Sequence, residues 1–358
     1  MERFGFVGLP NAGKSSLYNA LTGASALAAP YAFATVDPNV GVAKVPDDRV
    51  DQLAAFSKSK SVIHASVQFT DIGGLVEGAH KGEGLGNRFL ANIREVDAIV
   101  YVLRAFPDDD VPGPSDPLDA LGVLEIELAI GDLDSAEKQL DKRRRMAKAG
   151  DKAVLDEVAA LEAAVDSLQR GVPVYRSKLT AEHRELLKPV FLLTNKPVLA
   201  VVNVGEDQLA DLDAIVAPVK AELQIDDVVG ACIQLEAEAS QLSDEDRTEM
   251  LEGLGLGEGA LPRFIRAAYH ALGLRTYLTT GEKETRAWTF RAGAKAPECA
   301  GVIHTDFQRG FIRAETIQWD ELLAIGSWSA AKEQGKIRSE GKDYVVQDGD
   351  TMEFRFNV

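Results

Sequence analysis

The chain has only two cysteines in 358 residues, Cys232 and Cys299, with neither C-x-x-C nor metal-ligand spacing. Neither a disulfide framework nor a zinc site is therefore expected. Long apolar runs are missing too. Stretches such as Asp97 to Leu103 and Val198 to Val202 are strand-sized, far below the ~20 residues of a membrane-spanning helix. The opening "MERFGFVG" lacks a positive region followed by a long apolar core, so no secretory signal is expected and the reading is a cytoplasmic protein. Basic residues are scarce, with 39 Lys and Arg against 56 Asp and Glu and a net charge of −17. A general nucleic-acid binder needs cations to displace phosphate counterions, so this balance argues against one while leaving room for a local basic patch.

What is present is ordinary for a water-soluble fold: 46% hydrophobic and 27% charged residues. The length suggests two or three domains. Up to about residue 125, short apolar runs alternate with helical or glycine-rich segments, the pattern of a parallel α/β sheet, with strands expected at Phe4–Val7, Ser66–Thr70 and Ala98–Leu103. Between Gly122 and Gly171 there is no proline and no strand pattern. Ile126, Ile130, Leu133 and Leu140 form one helical stripe, and Leu155, Val158, Leu161, Val165 and Leu168 another. Ala149-Gly150-Asp151 separates them, which predicts an antiparallel helical hairpin. The α/β pattern resumes at "KPVLAVVNV" and Val228–Ile233, with a helix expected over Pro262–Leu272. From Thr276 short strands at Thr285–Phe290, Phe311–Ile317 and Tyr344–Val346 mix with brief helices. The last run, "TMEFRFNV", alternates after an Asp348-Gly349 turn and puts Met352, Phe354, Phe356 and Val358 on one face. This predicts a small α+β domain.

"GLPNAGKSS", Gly8 to Ser16, is a G-x-x-x-x-G-K-[ST] loop between a strand and a helical run. Its glycines let backbone N–H groups close around phosphates, and the helix N-terminus adds its positive dipole end. Lys14 is expected to reach the β- and γ-phosphates and Ser15 to meet Mg²⁺. Asp71-Ile72-Gly73-Gly74 follows a strand and fits the D-x-x-G loop that senses the metal and the γ-phosphate. Thr35, within "PYAFATVDPNVG", is the candidate second Mg²⁺ ligand. "KGEGLGN", Lys81 to Asn87, is not a dinucleotide fingerprint, because no strand immediately precedes it. It reads as a switch segment.

Two stretches compete as the base-reading loop. "TNKP" at Thr194–Pro197 contains Asn-Lys but precedes its strand. Asn203-Val204-Gly205-Glu206 follows the strand, at the edge where α/β sheets bind ligands. Guanine readers use Asn-Lys-x-Asp, whose carboxylate accepts from N1 and the 2-amino group. Adenine offers an N1 acceptor and a 6-amino donor instead. Val in place of Lys and Glu in place of Asp weaken the case for guanine.

With these motifs in view, the chain resembles the YchF family of Obg-like ATPases, P-loop proteins that prefer ATP to GTP. The resemblance rests on "GLPNAGKSSLYNALT", "DIGGLVEGAHKGEGLGNRFLANIREVDAIV", "TNKPVLAVVNVGE" and the carboxyl-terminal "GVIHTDFQRGFIRAE" and "EGKDYVVQDGDTMEFRFNV". It implies an α/β P-loop NTPase G domain over 1–121 and 188–275, an inserted antiparallel α-helical coiled coil over 122–187, and a carboxyl-terminal α+β TGS domain of β-grasp shape over 276–358. It carries nucleotide binding onto Asn11, Ala12, Gly13, Lys14, Ser15 and Ser16, with Gly74 beside them and Mg²⁺ on Ser15, Thr35 and Asp71. Base contacts fall on Asn203, Val204 and Glu206. ATP and the ribosome are the implied partners, and no membrane is. There are departures. The loop "PDDDVPGPSDPLD" lacks a histidine common in the family, and Cys232-Ile233-Gln234 stands where related sequences often have Ser-Ala-Lys.

Lys14 is the one residue assigned a catalytic role, through charge stabilisation. Ras-like enzymes place a water-orienting Gln just after D-x-x-G. Here that position is Leu75, so slow hydrolysis is expected, and His80, Lys81 and Glu83 are the polar groups nearby. Asn11 makes K⁺ a candidate second cation. His304-Thr305-Asp306 has no nucleophile beside it and reads as structural or RNA-facing. Lys142, Arg143, Arg144, Arg145 and Lys148 cluster near the expected hairpin tip. Arg143, Arg144 and Arg145, or else the TGS domain, are the candidates for a ribosomal RNA contact. Three functions stay open: a slow ATPase switch on ribosomes, a ribosome-binding module with negligible hydrolysis, and a guanine-specific GTPase.

Overall fold

The computed structural model describes residues 2–23, 40–72, 85–107, 114–148 and 150–357, with backbone alone for residues 85–88. Thr35, Gly74, Leu75, His80, Lys81 and Glu83 lie outside the described residues. Contacts divide the chain into two units, residues 1–43 with 68–264, and residues 44–67 with 265–358. An excursion over 44–67 thus belongs with residues 265–358 in the second unit.

The first part of the chain supplies β1 (Arg3–Val7), β2 (Val40–Lys44), β3 (Ser61–Ile63), β4 (Ser66–Asp71), β5 (Ala98–Arg104), β6 (Val198–Asn203) and β7 (Val228–Ala231). Six of these form one sheet in the order β2-β4-β1-β5-β6-β7. The pairs β1–β4, β1–β5, β5–β6 and β6–β7 are all parallel. Every residue of β5 and β6 is buried. Central parallel strands are covered on both faces, which is why "AIVYVLR" and "VLAVVN" are near-continuous apolar runs rather than alternating ones.

The helix Pro117–Ala147 starts five residues before the expected insertion boundary, where the Asp116 side chain accepts from the Leu118 N–H at 2.7 Å and Pro117 takes the first turn. The stripe expected on it is partly in the wrong phase, since Ile126 and Ile130 are 51% and 38% exposed. Leu121, Leu124 and Leu128 pack into the α/β core, whereas Ala136 and Leu140 pack with Ala160, Leu161, Ala164 and Leu168 of the helix Lys152–Gln169. One helix with two successive partners has no single apolar period, so a stripe read at constant spacing drifts. Contacts of Glu137 with Gln169 and of Arg144 with Glu162 run the two helices antiparallel, as expected.

The second unit adds β8 (Leu274–Thr279), β9 (Glu284–Arg291), β10 (Phe311–Gln318), β11 (Arg338–Glu340) and β12 (Asp350–Phe356). Its sheet runs β11-β10-β12-β8-β9-β3, with β8–β9 and β10–β12 antiparallel and β12–β8 parallel. The helix Ala296–Ile303 covers one face through Ala296, Cys299 and Ala300 against Tyr277, Phe290, Met352 and Phe354. Tyr344–Val346, expected as a strand, makes only one isolated bridge, Val345 opposite Lys295. Its backbone is drawn to the helix start instead, with Ala296 N–H donating to Tyr344 O and Val346 N–H to Ala294 O. In β12, Met352 and Phe354 are buried as expected, while Phe356 is partly exposed and stacks on Phe307 at 3.8 Å between ring centres.

Candidate nucleotide site

The loop from β1 into the helix Lys14–Gly23 holds its shape through positions where a side chain cannot fit. A Cβ on Gly8 would come within 2.6 Å of the Val102 carbonyl oxygen of β5. Gly13 has φ of +100°, and a Cβ there would lie 2.6 Å from Asn203 Nδ2. Any side chain at Gly13 would be strained by the backbone and would also push on the Asn203 side chain at the end of the 198–203 strand. Asn11 occupies the left-handed region at φ 62°, which Asn tolerates better than most residues.

Lys14 is 6% exposed, and its Nζ donates to the Leu9 carbonyl at 2.8 Å. Burial lowers its pKa from the ordinary lysine value, while the nearby Asp71 carboxylate pulls the other way. Ser15 Oγ donates to Asp71 Oδ2 at 2.8 Å, bringing together a hydroxyl from the loop and a carboxylate from the end of β4. These are oxygen donors of the kind Mg²⁺ takes, and among the described residues no group of three or more acidic, His or Cys ligands exists. Such a sparse protein donor set fits an ion that keeps waters and takes its other ligands from phosphates.

At the end of β6, Asn203 is 6% exposed. Its Nδ2 donates to Ala12 O at 3.1 Å, and its Oδ1 accepts from the Ile233 N–H at 3.2 Å. One amide therefore ties the phosphate loop to the loop after β7. Val204 is buried and donates its N–H to Ala231 O at 3.0 Å, whereas Glu206 is exposed. A cleft of about 640 Å³ opens between Asn11, Gly13 and Ser16, the 203–206 loop, and Cys232–Gln234. Phe106, just beyond β5, forms a further wall.

Sequence reasoning missed Phe106 and Gln208. Gln208 accepts from the Gly205 N–H at 2.9 Å and donates to Ala105 O at 2.9 Å, pinning the loop after β6 to the end of β5. An aromatic two residues after a parallel strand was a usable signal for Phe106. Gln208 had none, because its role depends on a neighbour 103 positions away.

The rest of "TNKP" is structural. Asp132, fully buried on the long helix, accepts from the N–H groups of Leu193 and Thr194 and from Thr194 Oγ1 at 2.7–2.8 Å. Asn195 bonds Arg184, and Lys196 Nζ donates to Arg94 O and Val96 O at 3.1 and 2.5 Å. His304 is a helix cap whose Nδ1 accepts from the Asp306 N–H.

A family model described as a 50S ribosome-binding GTPase matches residues 3–140. A model of the carboxyl-terminal YchF-type GTPase domain, described as a protein of unknown function, matches residues 274–357. The chain is 47% identical over 361 residues to the ribosome-binding ATPase YchF of Bacillus subtilis, covering 99% of both chains. The chain belongs to the YchF family. The relative of that name from Haemophilus influenzae is also 47% identical, again over 99% of both. The solved structure of the Schizosaccharomyces pombe YchF GTPase superposes with a TM-score of 0.87 at 34% identity, covering 99% of this chain and 97% of that one. The YchF fold therefore includes the helical insertion and the carboxyl-terminal sheet. The names of YchF relatives differ on the base, ATPase in some and GTPase in another.

In this YchF chain the basic cluster is partly neutralised. Arg143 Nε pairs with Glu157 at 2.7 Å and Arg144 with Glu162 at 2.8 Å, both across the hairpin. Arg145, Lys142 and Lys148 form no ion pair among the described residues, and all three are exposed. No helix of the described residues is long and apolar enough to cross a membrane.

Proposed function

We propose that the chain is a slow, Mg²⁺-dependent ATPase whose nucleotide state governs binding to ribosomes. One observation carries this reading. A phosphate loop faces a base-side wall in which Asn203 is occupied by backbone partners, and Val204 and Glu206 replace the Lys and Asp of guanine readers. Guanine needs a carboxylate on its N1 and 2-amino edge, and the exposed Glu206 is longer than the Asp that serves there. Adenine asks less of an apolar wall such as Phe106, Val204 and Cys232. The preference for ATP is accordingly modest, because few polar groups meet the base.

Asn11 to Ser16 hold the phosphates, Gly74 is carried into the nucleotide-binding set by its D-x-x-G motif alone, and Asn203, Val204 and Glu206 face the base. Ser15 and Asp71, with Thr35 from the sequence motif, would hold Mg²⁺. The ion, when bound, neutralises charge on the β- and γ-phosphate oxygens. Lys14 adds a buried positive charge to the same oxygens and is the catalytic group in this reading. With Leu75 at the water-orienting position, turnover stays well below the ~1–100 s⁻¹ of kinases. Asn11 is the residue through which K⁺ would act. The names of the curated relatives support ribosome binding. For an RNA contact, the cross-hairpin pairing of Arg143 and Arg144 shifts weight onto Arg145, Lys142 and Lys148, with the TGS sheet as the alternative surface.

Competition of ATP against GTP, in the presence of Mg²⁺, tests the base. Equal or tighter GTP binding would replace this reading with a guanine-specific one. Turnover with and without ribosomes then separates an ATPase switch from a binding module in which hydrolysis plays no part.

A further inference from the structure

The second unit contains its own cleft, remote in kind from the phosphate site. β12 pairs with β8 through one residue pair, Thr351 opposite Leu278. β8 ends one residue later, at Thr279, while β12 runs on to Phe356. Along this edge lies a cleft of about 560 Å³, within the usual range for ligand sites. Its floor is Thr351 to Phe354 and one end is the turn Thr279–Glu282, while Phe56, Phe307 and Trp328 supply partly exposed aromatic walls.

Two features tell what would fit. Thr351 is 1% exposed, lines the cleft, and its Oγ1 has no hydrogen-bond partner. A buried hydroxyl without a partner costs roughly 1–3 kcal/mol, so a ligand donor or acceptor there would be favoured. The charged lining residues are Glu282 and Glu353, and none of the lining residues is Lys, Arg or His. Glu353 also accepts from Arg355 Nη2 at 3.1 Å, on the exposed side. The nucleotide cleft is built on a phosphate loop with a buried lysine. This one offers carboxylates and aromatic faces, which repel phosphate and attract cations.

We propose that this cleft binds an extended peptide segment carrying basic side chains, added as a strand along the open edge of β12. Main-chain bonds to β12 supply affinity, and alternate side chains supply specificity. A lysine or arginine reaches Glu282 and Glu353, with its aliphatic stem against Trp328 and Phe56. The Thr351 hydroxyl meets a polar group of the bound segment. A peptide strand is favoured over a free amine because the cleft follows a strand edge rather than enclosing a point.

The test uses the full chain and a fluorescent peptide, Lys-Val-Lys-Val-Lys-Val, read by anisotropy. An acidic protein attracts any cationic peptide weakly, so the cleft variants decide the matter. The Glu282→Gln, Glu353→Gln double variant is expected to weaken binding at least about tenfold with thermal unfolding unchanged. Thr351→Val is expected to weaken it severalfold with a raised unfolding temperature, since it removes the unpartnered hydroxyl. Nucleotide affinity stays unchanged in both. N-methylating alternate amides of the peptide is expected to weaken binding by a similar factor. Equal binding by parent and double variant overturns the site. Undiminished binding of the N-methylated peptide, or equally tight binding of spermidine, overturns strand addition. None of these outcomes bears on the ATP or ribosome reading, which is tested separately.

Discussion

The two ends of β6 carry stretches of similar composition and opposite use. Before the strand, Thr194, Asn195 and Lys196 are each bound by Asp132, Arg184 and the backbone of residues 94–96. After it, Asn203 to Glu206 open on a cleft. The difference is position in a parallel sheet. Strand ends on the carboxyl side diverge into loops that can surround a ligand, whereas those on the amino side receive helices and are packed shut. A motif of Asn and Lys therefore means little until its side of the sheet is known.

Experiments at four places in the molecule can break or sharpen that comparison. The largest effect is expected at the phosphate side of the open end. Lys14→Ala should lower ATP turnover by about 10²–10³-fold, the usual cost of one transition-state donor, with unfolding temperature nearly unchanged. A loss of stability equal to the loss of turnover would mean that the lysine is a packing element.

Next comes the closed end. Asp132→Ala leaves two backbone donors and one hydroxyl without a partner in the interior and should destabilise the fold by about 3 kcal/mol, measured by urea unfolding. ATP affinity of the folded fraction should not change. Burial pushes Asp132 up to about 6, so the folded state binds its proton more readily than the unfolded state. Its contribution should thus decline as pH rises from about 4 through 6. An Asp132→Asn variant, compared with the parent across that window, reads the slope. A flat difference would deny the shift.

Asn203→Ala should cost about 1–3 kcal/mol in ATP affinity, since it unlinks Ala12 from Ile233 and leaves both groups unpaired. Isothermal titration against ATP and GTP checks this. An equal change at Asn195, on the closed end, would erase the distinction drawn here. Val204→Lys with Glu206→Asp should then move preference toward GTP by a fewfold to tenfold. No movement would place base choice on Phe106 and Cys232.

The smallest effect belongs to the hairpin. Removing Arg143 or Arg144 should cost at most about 1 kcal/mol of stability, the range of exposed pairs. Reversal of Arg145 with Lys142 and Lys148 should leave stability unchanged and weaken ribosome binding, with a shallower salt dependence. Unchanged binding across a salt titration would move the contact to the carboxyl-terminal sheet.

Local chemistry decided much of this protein from sequence alone. The phosphate loop was legible because its glycines answer short-range steric needs, and β5 and β6 because burial on both faces demands unbroken apolar runs. The β12 strand was legible for a related reason, the alternation of Met352 and Phe354 with Glu353 and Arg355. Other features needed the tertiary structure. Ile126 and Ile130 looked like core and are exposed, because the helix exchanges one partner for another along its length. Tyr344–Val346 looked like a strand and closes onto a helix start instead. The 44–67 excursion could not be assigned to the carboxyl-terminal sheet, since β3 finds its partner β9 more than 200 residues away. Gln208 and Asp132 likewise act through neighbours distant in sequence. Local steric and burial rules act within a few residues and are written in the chain. Pairings across long separations are settled only when the whole core closes.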